Sequence, residues 1–181
     1  MTTEMNETAP GEQPGGEAGP YPAEWRVWSD GACIPNPGPA GWAVLVETPS
    51  GERWTLHGNS RNSTNNRAEM YGFLQGVLAI PLETPATIKT DSRYVVDGCT
   101  VWRTGWQAKG MRTRTGPVKN DDLWPDLWVA LDARPLVRIE WVRGHSGERG
   151  NEIVDQIAEA AAERRKAGGP AEDGARTNLT A

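Results

Sequence analysis

Apolar and polar residues alternate from Trp25 to Asp30, the period-two pattern of a half-buried strand. Beyond the Pro/Gly-rich stretch IPNPGPAG, two more strand-like runs follow, Trp42–Glu47 and Arg53–Gly58. Pro49, Ser50 and Gly51 supply hairpin chemistry between them. The period then changes. From Asn65 to Ile80 the residues Ala68, Tyr71, Leu74 and Leu78 share one helical face, and Pro81 marks the stop. A short strand, Thr87–Asp91, and a short helix, Arg93–Val101, are predicted next. After a basic segment come a helix over Asp122–Leu131 and a β-branched strand over Leu136–Val142. A Gly-rich loop, Gly144–Gly150, leads into a last helix from Asn151 to Arg165. Three meander strands followed by alternating helices and strands predict an α/β domain, its mixed sheet covered by helices on its faces.

Composition sets the boundaries of that domain. Nine Trp and a hydrophobic fraction of 37% suffice for a core, and the apolar residues concentrate between Trp25 and Ala162. Residues 1–23 are rich in Glu, Gly, Pro and Thr, and residues 166–181 are similarly polar. Both are expected to be disordered tails, because neither can bury enough surface to offset its ordering entropy. The foldable unit is then 24–165. No run approaches the ~18 apolar residues of a membrane span, and no basic and apolar leader is evident at the N-terminus. Cys33 and Cys99 have no metal-type spacing. A cytoplasmic, reducing setting is the expectation.

Charge modifies the picture only once its distribution is read. The net charge is −5, yet residues 1–24 carry Glu4, Glu7, Glu12, Glu17 and Glu24 with no Lys or Arg. The remainder is nearly neutral, and Val101–Asn120 holds Arg103, Lys109, Arg112, Arg114 and Lys119 without any acid. Local field governs binding to a phosphate backbone more than net charge does.

Four acids stand where solvated charges are not expected. Asp30 is at the end of the first strand, Glu69 in the first turns of the first long helix, Asp91 at the end of the fourth strand, and Asp155 near the start of the last helix. Strand ends and helix starts are where an α/β sheet collects its polar site. Each acid alone reads more readily as a turn residue, as at Asp30-Gly31, or as a solvated helix acid, as at Glu69 and Asp155. Four converging carboxylates repel strongly, so they share protons or hold cations. Oxygen ligands without Cys or paired His suit Mg²⁺ or Mn²⁺.

The segments that carry these acids resemble a known family. SDGACIPNPGPAG at Ser29–Gly41, STNNRAEM around Glu69, TDSRYV at Thr90–Val96 and GHSGERGNEIVDQIA at Gly144–Ala158 are similar, in order and spacing, to the motifs of type 1 ribonucleases H. The similarity covers about residues 25–162. It implies a ribonuclease H-like fold with a five-stranded mixed sheet, three antiparallel meander strands plus two parallel ones, and helices on both faces. It further implies an endoribonuclease acting on RNA–DNA hybrids as a monomer. Asp30, Glu69, Asp91 and Asp155 would bind two Mg²⁺ ions, with Mn²⁺ a possible substitute, and the products would carry 5′-phosphate and 3′-hydroxyl ends. His145, in its Gly-rich loop, would assist proton transfer or product departure, and Glu148 is a weaker candidate for metal or product exchange. His57, in a strand-like run, is expected to be structural or exposed.

The same resemblance implies a substrate surface. Cys33, Asn36, Asn65 and Asn66 would follow the minor groove near the sugars, where the 2′-hydroxyl distinguishes RNA. Turn and helix-cap chemistry explains those residues as well. Thr64 and Asn120 match positions that cradle a DNA phosphate, although the usual Arg nearby is replaced by Asn62, with Arg61 adjacent. Trp102, Arg103, Trp106, Lys109, Arg112, Arg114 and Lys119 resemble the family's basic handle. A solvated basic helix with two core Trp reads the same residues without a ligand. The handle differs from the family pattern at Gln107, Ala108 and Met111, and its following loop is one residue short. Two other readings stay open: a strand-transfer enzyme of the transposase or integrase type on the same fold, and a silent hybrid-binding module.

Overall fold

A computed structural model describes residues 23–179 of the chain. The expectation for the N-terminal tail therefore lies outside the described residues, apart from residue 23. The main sheet has six strands in the order β7-β4-β1-β2-β3-β8. They are β1 Trp25–Cys33, β2 Gly38–Glu47, β3 Arg53–Ser63, β4 Ala86–Thr90, β7 Val137–Trp141 and β8 Ala175–Leu179. A separate pair of two-residue strands, β5 Arg112–Thr113 and β6 Gly116–Pro117, closes the basic segment into a small hairpin. β1 lies antiparallel to β2 and parallel to β4, and β4 lies parallel to β7. The mixed sheet read from the sequence is present.

β1 is central, and the alternation of its side chains divides the core in two. Val27 points with Val44 and Val46 to one face, against Met70, Phe73 and Val77 of α1 (Asn65–Ala79). Trp124 and Leu127 of α4 (Trp124–Asp132) complete that layer. Trp28 points with Ala43 and Leu45 to the other face, against Val154 and Ala158 of α5 (Arg149–Lys166). Ala158, Ala161 and Ala162 are fully buried, so the small side chains of α5 let it lie close on the sheet.

Three details differ from the sequence reading. The meander strands run longer than their hydrophobic pattern, because the β1–β2 ladder continues to Cys33↔Ala40 and the β2–β3 ladder reaches Gly38↔Ser63. Main-chain pairing needs no apolar side chain. The expected helix over Arg93–Val101 becomes α2 (Arg93–Asp97), a π-helical turn (Gly98–Trp102) and α3 (Arg103–Ala108). Trp128 Nε1 donates to the Gly98 carbonyl at 3.2 Å, a bond from α4 to the first residue of the π-helical turn.

The third difference is a correction. Residues 166–181 were expected to be a disordered tail, but Lys166 ends α5 and Ala175–Leu179 forms β8 along β3. The sheet accordingly has six strands instead of five. An edge strand presents a row of unpaired N–H and C=O groups, and β8 satisfies those of β3. Side chains add to the seam: the Arg176 guanidinium lies 4.3 Å from the Trp54 ring centroid, and Asn59 N donates to Glu172 O at 2.8 Å. His57 is half-buried under this seam, with Nε2 3.7 Å from Glu172.

Candidate active site

Asp30, Glu69, Asp91 and Asp155 come from four different elements. Asp30 lies within β1, three residues before its end, and Asp91 directly follows β4, the parallel neighbour of β1. Glu69 is in the second turn of α1 and Asp155 in the second turn of α5. Two close approaches bring these elements together. A Cβ on Gly31 would lie 2.2 Å from Glu69 N, so the missing side chain lets α1 rest on β1. A Cβ on Gly144 would meet Asp91 Oδ2 at 2.5 Å, so the loop before α5 runs directly over Asp91.

Asp30 is buried, and Gly31 N donates to its Oδ1 at 2.7 Å. Burial and the neighbouring Asp91 raise its pKa to about 8. Asp155 and Glu69 push in the same direction, while the Gly31 amide opposes them. Glu69 is likewise raised, by burial first, against the opposing hydrogen bond from Ser92. Ser92 Oγ donates to Glu69 Oε2, and Asn65 Nδ2 donates to Oε1 at 2.8 Å. Asn151 Nδ2 donates to Asp91 Oδ2 at 3.2 Å, and Trp141 Nε1 donates to the Asp91 carbonyl at 2.9 Å. His145, with φ of 51° and a side chain 80% exposed, brings Nδ1 to 3.6 Å from Asp155 Oδ2. Glu148 caps α5 by accepting from Asn151 N at 2.9 Å and lies 3.7 Å from Lys89.

Among the described residues no group of three or more His, Cys, Asp or Glu side chains is disposed to hold a metal ion. The carboxylates are engaged instead by the donors just named. Their chemistry nevertheless fits hard divalent cations: the side-chain atoms offered are all oxygen, and the acids are close enough that their repulsion adds to burial in raising Asp30. Ser92 and Asn151 were missed as parts of the site. Their signals were modest, a Ser directly after a strand-ending acid and an Asn in the first turn of a helix, both ordinary capping residues.

The substrate-surface residues fall into three groups. Asn36, Thr64, Asn66, Lys119 and Asn120 line one cleft of about 510 Å³, although they come from three separate segments. Asn36 Oδ1 accepts from Asn65 N at 3.2 Å, and Thr64 caps α1 by accepting from Arg67 N at 3.3 Å. Asn120 Nδ2 donates to the Tyr94 hydroxyl at 3.3 Å. Lys109, Arg112 and Arg114 form the second group, all exposed. The third group is held by partners within the chain. Cys33 is buried, its thiol donating toward the carbonyls of Pro35, Gly38 and Ser63. Trp102 and Trp106 belong to an aromatic row, with Trp106 5.3 Å from Trp124 and Trp102 6.1 Å from Tyr94. Arg103 makes a two-pronged pair with Asp132 at 2.7 and 2.6 Å.

The sequence profile of the RNase H family matches residues 22–163. Ribonuclease H of Bordetella pertussis is 44% identical over 137 residues, which cover 74% of this chain and 85% of that protein. Ribonuclease H of Methylorubrum extorquens is 45% identical over 137 residues, covering 76% of this chain and 59% of that protein. The crystal structure of LC9-RNase H1, a type 1 RNase H, superposes with a TM-score of 0.72 at 30% identity, over 88% of this chain and 79% of that one. LC11-RNase H1, solved with an RNA/DNA hybrid, shares the fold with a TM-score of 0.58 at 16% identity, over 79% of this chain and 99% of that one. With four carboxylates gathered on a mixed sheet of this topology, and with matches of this extent, the chain belongs to the ribonuclease H family of nucleases, enzymes that in general depend on a divalent metal.

Proposed function

We propose that the protein hydrolyses the RNA strand of RNA–DNA hybrids and leaves 5′-phosphate and 3′-hydroxyl ends. One observation carries the reading: Asp30 is buried on the central strand with Asp91, Asp155 and Glu69 around it from three other elements, and burial first and those charges second raise its pKa to about 8. Such a group accommodates full ionisation when cations enter it. Asp30, Glu69, Asp91 and Asp155 would hold two Mg²⁺, or Mn²⁺ in substitution, which supply charge stabilisation to the entering and leaving oxygens of a phosphodiester.

The remaining work belongs to the protein's own groups. Asn65 and Ser92 orient the two oxygens of Glu69, and Asn151 orients Asp91. His145, largely exposed yet 3.6 Å from Asp155, takes up or delivers a proton at the rim. Asn36, Asn65 and Asn66 face the sugars of the hybrid, where the RNA strand offers 2′-hydroxyls. Thr64, Lys119 and Asn120 hold a phosphate of the DNA strand in their shared cleft. Lys109, Arg112 and Arg114 attract the backbone farther along. Cys33 braces the turn that carries Asn36, and Trp102, Trp106 and Arg103 support the basic segment from beneath. On this reading the protein acts as a monomer in a cytoplasmic setting.

The test is cleavage of end-labelled hybrid, RNA duplex and DNA duplex of one sequence in Mg²⁺. The expected result is scission of the hybrid's RNA strand alone, with 5′-phosphate ends. Cutting or joining of DNA would instead support the strand-transfer reading, and hybrid binding without scission the silent binding module.

A further inference from the structure

The arginines around the site differ in how they are held. Arg67 is locked to Asp122 by two hydrogen bonds, Arg103 is locked to Asp132 in the same way, and Arg138 pairs with Glu24. Arg93 is exposed and stands two residues after Asp91. Its guanidinium lies 4.0 Å from the ring centroid of Trp141. Among the described residues it has no carboxylate within ion-pairing distance, in contrast to those three. Trp141 is itself anchored, because its Nε1 donates to the Asp91 carbonyl at 2.9 Å. One indole thus fixes the main chain of a site carboxylate through its edge and a guanidinium through its face.

Stacking immobilises the plane of a guanidinium while leaving its N–H edges free. Those edges match two oxygens of a phosphate, and a cation already held in place loses less freedom on binding than a free side chain does. The geometry points to Arg93, seated on Trp141, as a further substrate-contacting residue that binds a backbone phosphate of the substrate beside the carboxylate site. The inference rests on the nucleic-acid reading of that site. Trp141 is its positioning residue. This anchor adds a phosphate contact beside the carboxylates to the one proposed for Thr64, Lys119 and Asn120.

The test compares wild type with Arg93→Gln, Arg93→Lys and Trp141→Leu. Hybrid affinity is measured by fluorescence anisotropy in chelator at several salt concentrations, and steady-state kinetics are measured in Mg²⁺. Arg93→Gln should weaken binding and raise KM about tenfold, leave kcat within about twofold, and reduce the salt slope by about one phosphate contact. Arg93→Lys should keep the salt slope but recover only part of the affinity. Trp141→Leu should reproduce the affinity loss of Arg93→Gln and add a fall in kcat, since the Asp91 carbonyl loses its donor. An unchanged slope and affinity in Arg93→Gln would overturn the inference. So would full recovery by Lys together with wild-type affinity in Trp141→Leu, because the stacked geometry would then be irrelevant. Wild-type binding in chelator without scission in Mg²⁺ would refute the proposed function and still decide on Arg93 through the anisotropy ratios. Failure of the wild type to bind hybrid at all would refute both.

Discussion

The carboxylate site and the basic segment carry opposite charge and are built on opposite principles. Asp30 sits on the central strand, buried, with its pKa raised to about 8 by burial and by its neighbours. Two of its three acidic neighbours are fixed: Glu69 by Asn65 and Ser92, Asp91 by Asn151. Lys109, Arg112 and Arg114 lie instead on exposed chain around a two-residue hairpin, where solvent screens them. Crowded like charges in a low-dielectric place are costly, so the fold must impose them. Exposed cations cost little and act as a sum. One substitution in the first region should therefore abolish a function, whereas one in the second should only trim it.

The largest effect is expected at Asp30. Asp30→Asn should lower kcat by a factor of about 10³ or more, at least ~4 kcal/mol of transition-state stabilisation, while circular dichroism stays that of wild type. Its stability should shift in a defined direction. A carboxyl raised from 3.8 to about 8 in the folded state contributes stability that is fully present below the unfolded value and is lost as pH rises through about 8. In chelator, wild type should therefore lose stability between about pH 4 and 8, by an amount on the order of a few kcal/mol, and Asp30→Asn should lose less. Thermal melts across that range decide the matter. Equal slopes for the two proteins would remove the strain assigned to this region.

His145→Ala comes next. The imidazole stands at the rim, mostly exposed, so kcat should fall about 10- to 100-fold with hybrid affinity nearly unchanged. Single-turnover kinetics in Mg²⁺ measure it, and an unaltered rate would reduce His145 to a surface-loop residue.

In the basic segment, neutralising Lys109, Arg112 and Arg114 together should raise KM about tenfold at moderate salt and lower kcat much less. The logarithmic salt slope should become shallower by roughly two to three. A slope identical to that of wild type would show that these cations do not meet the backbone. Arg103 should give the smallest change. Arg103→Ala removes a partly exposed pair with Asp132, so it should cost up to about 1 kcal/mol in denaturant melts and leave the salt slope alone. A change of slope by about one would return Arg103 to the contact surface.

These differences follow what a sequence can carry. The hydrophobic periods located β1, α1, α4 and α5 because each buries one face against the sheet, and burial writes directly into residue type. Asp30, Glu69, Asp91 and Asp155 could be singled out because they stand at strand ends and helix starts, in segments that resemble ribonuclease H motifs. β8 was not legible: its bond to β3 is made by main-chain groups that every residue type possesses, so ARTNL looks like a tail until an unpaired edge lies beside it. The pairing of Arg103 was equally hidden, since its partner Asp132 is 29 residues away in the chain. Ser92 and Asn151 read locally as helix caps, and only the meeting of β4, α1 and α5 makes them hydrogen-bond donors to Glu69 and Asp91. The sequence by itself determined which segments must be buried and which acids are out of place. The tertiary structure alone decided which donor, cation or strand edge each polar group meets, because such pairings join positions far apart in the chain and leave no period behind.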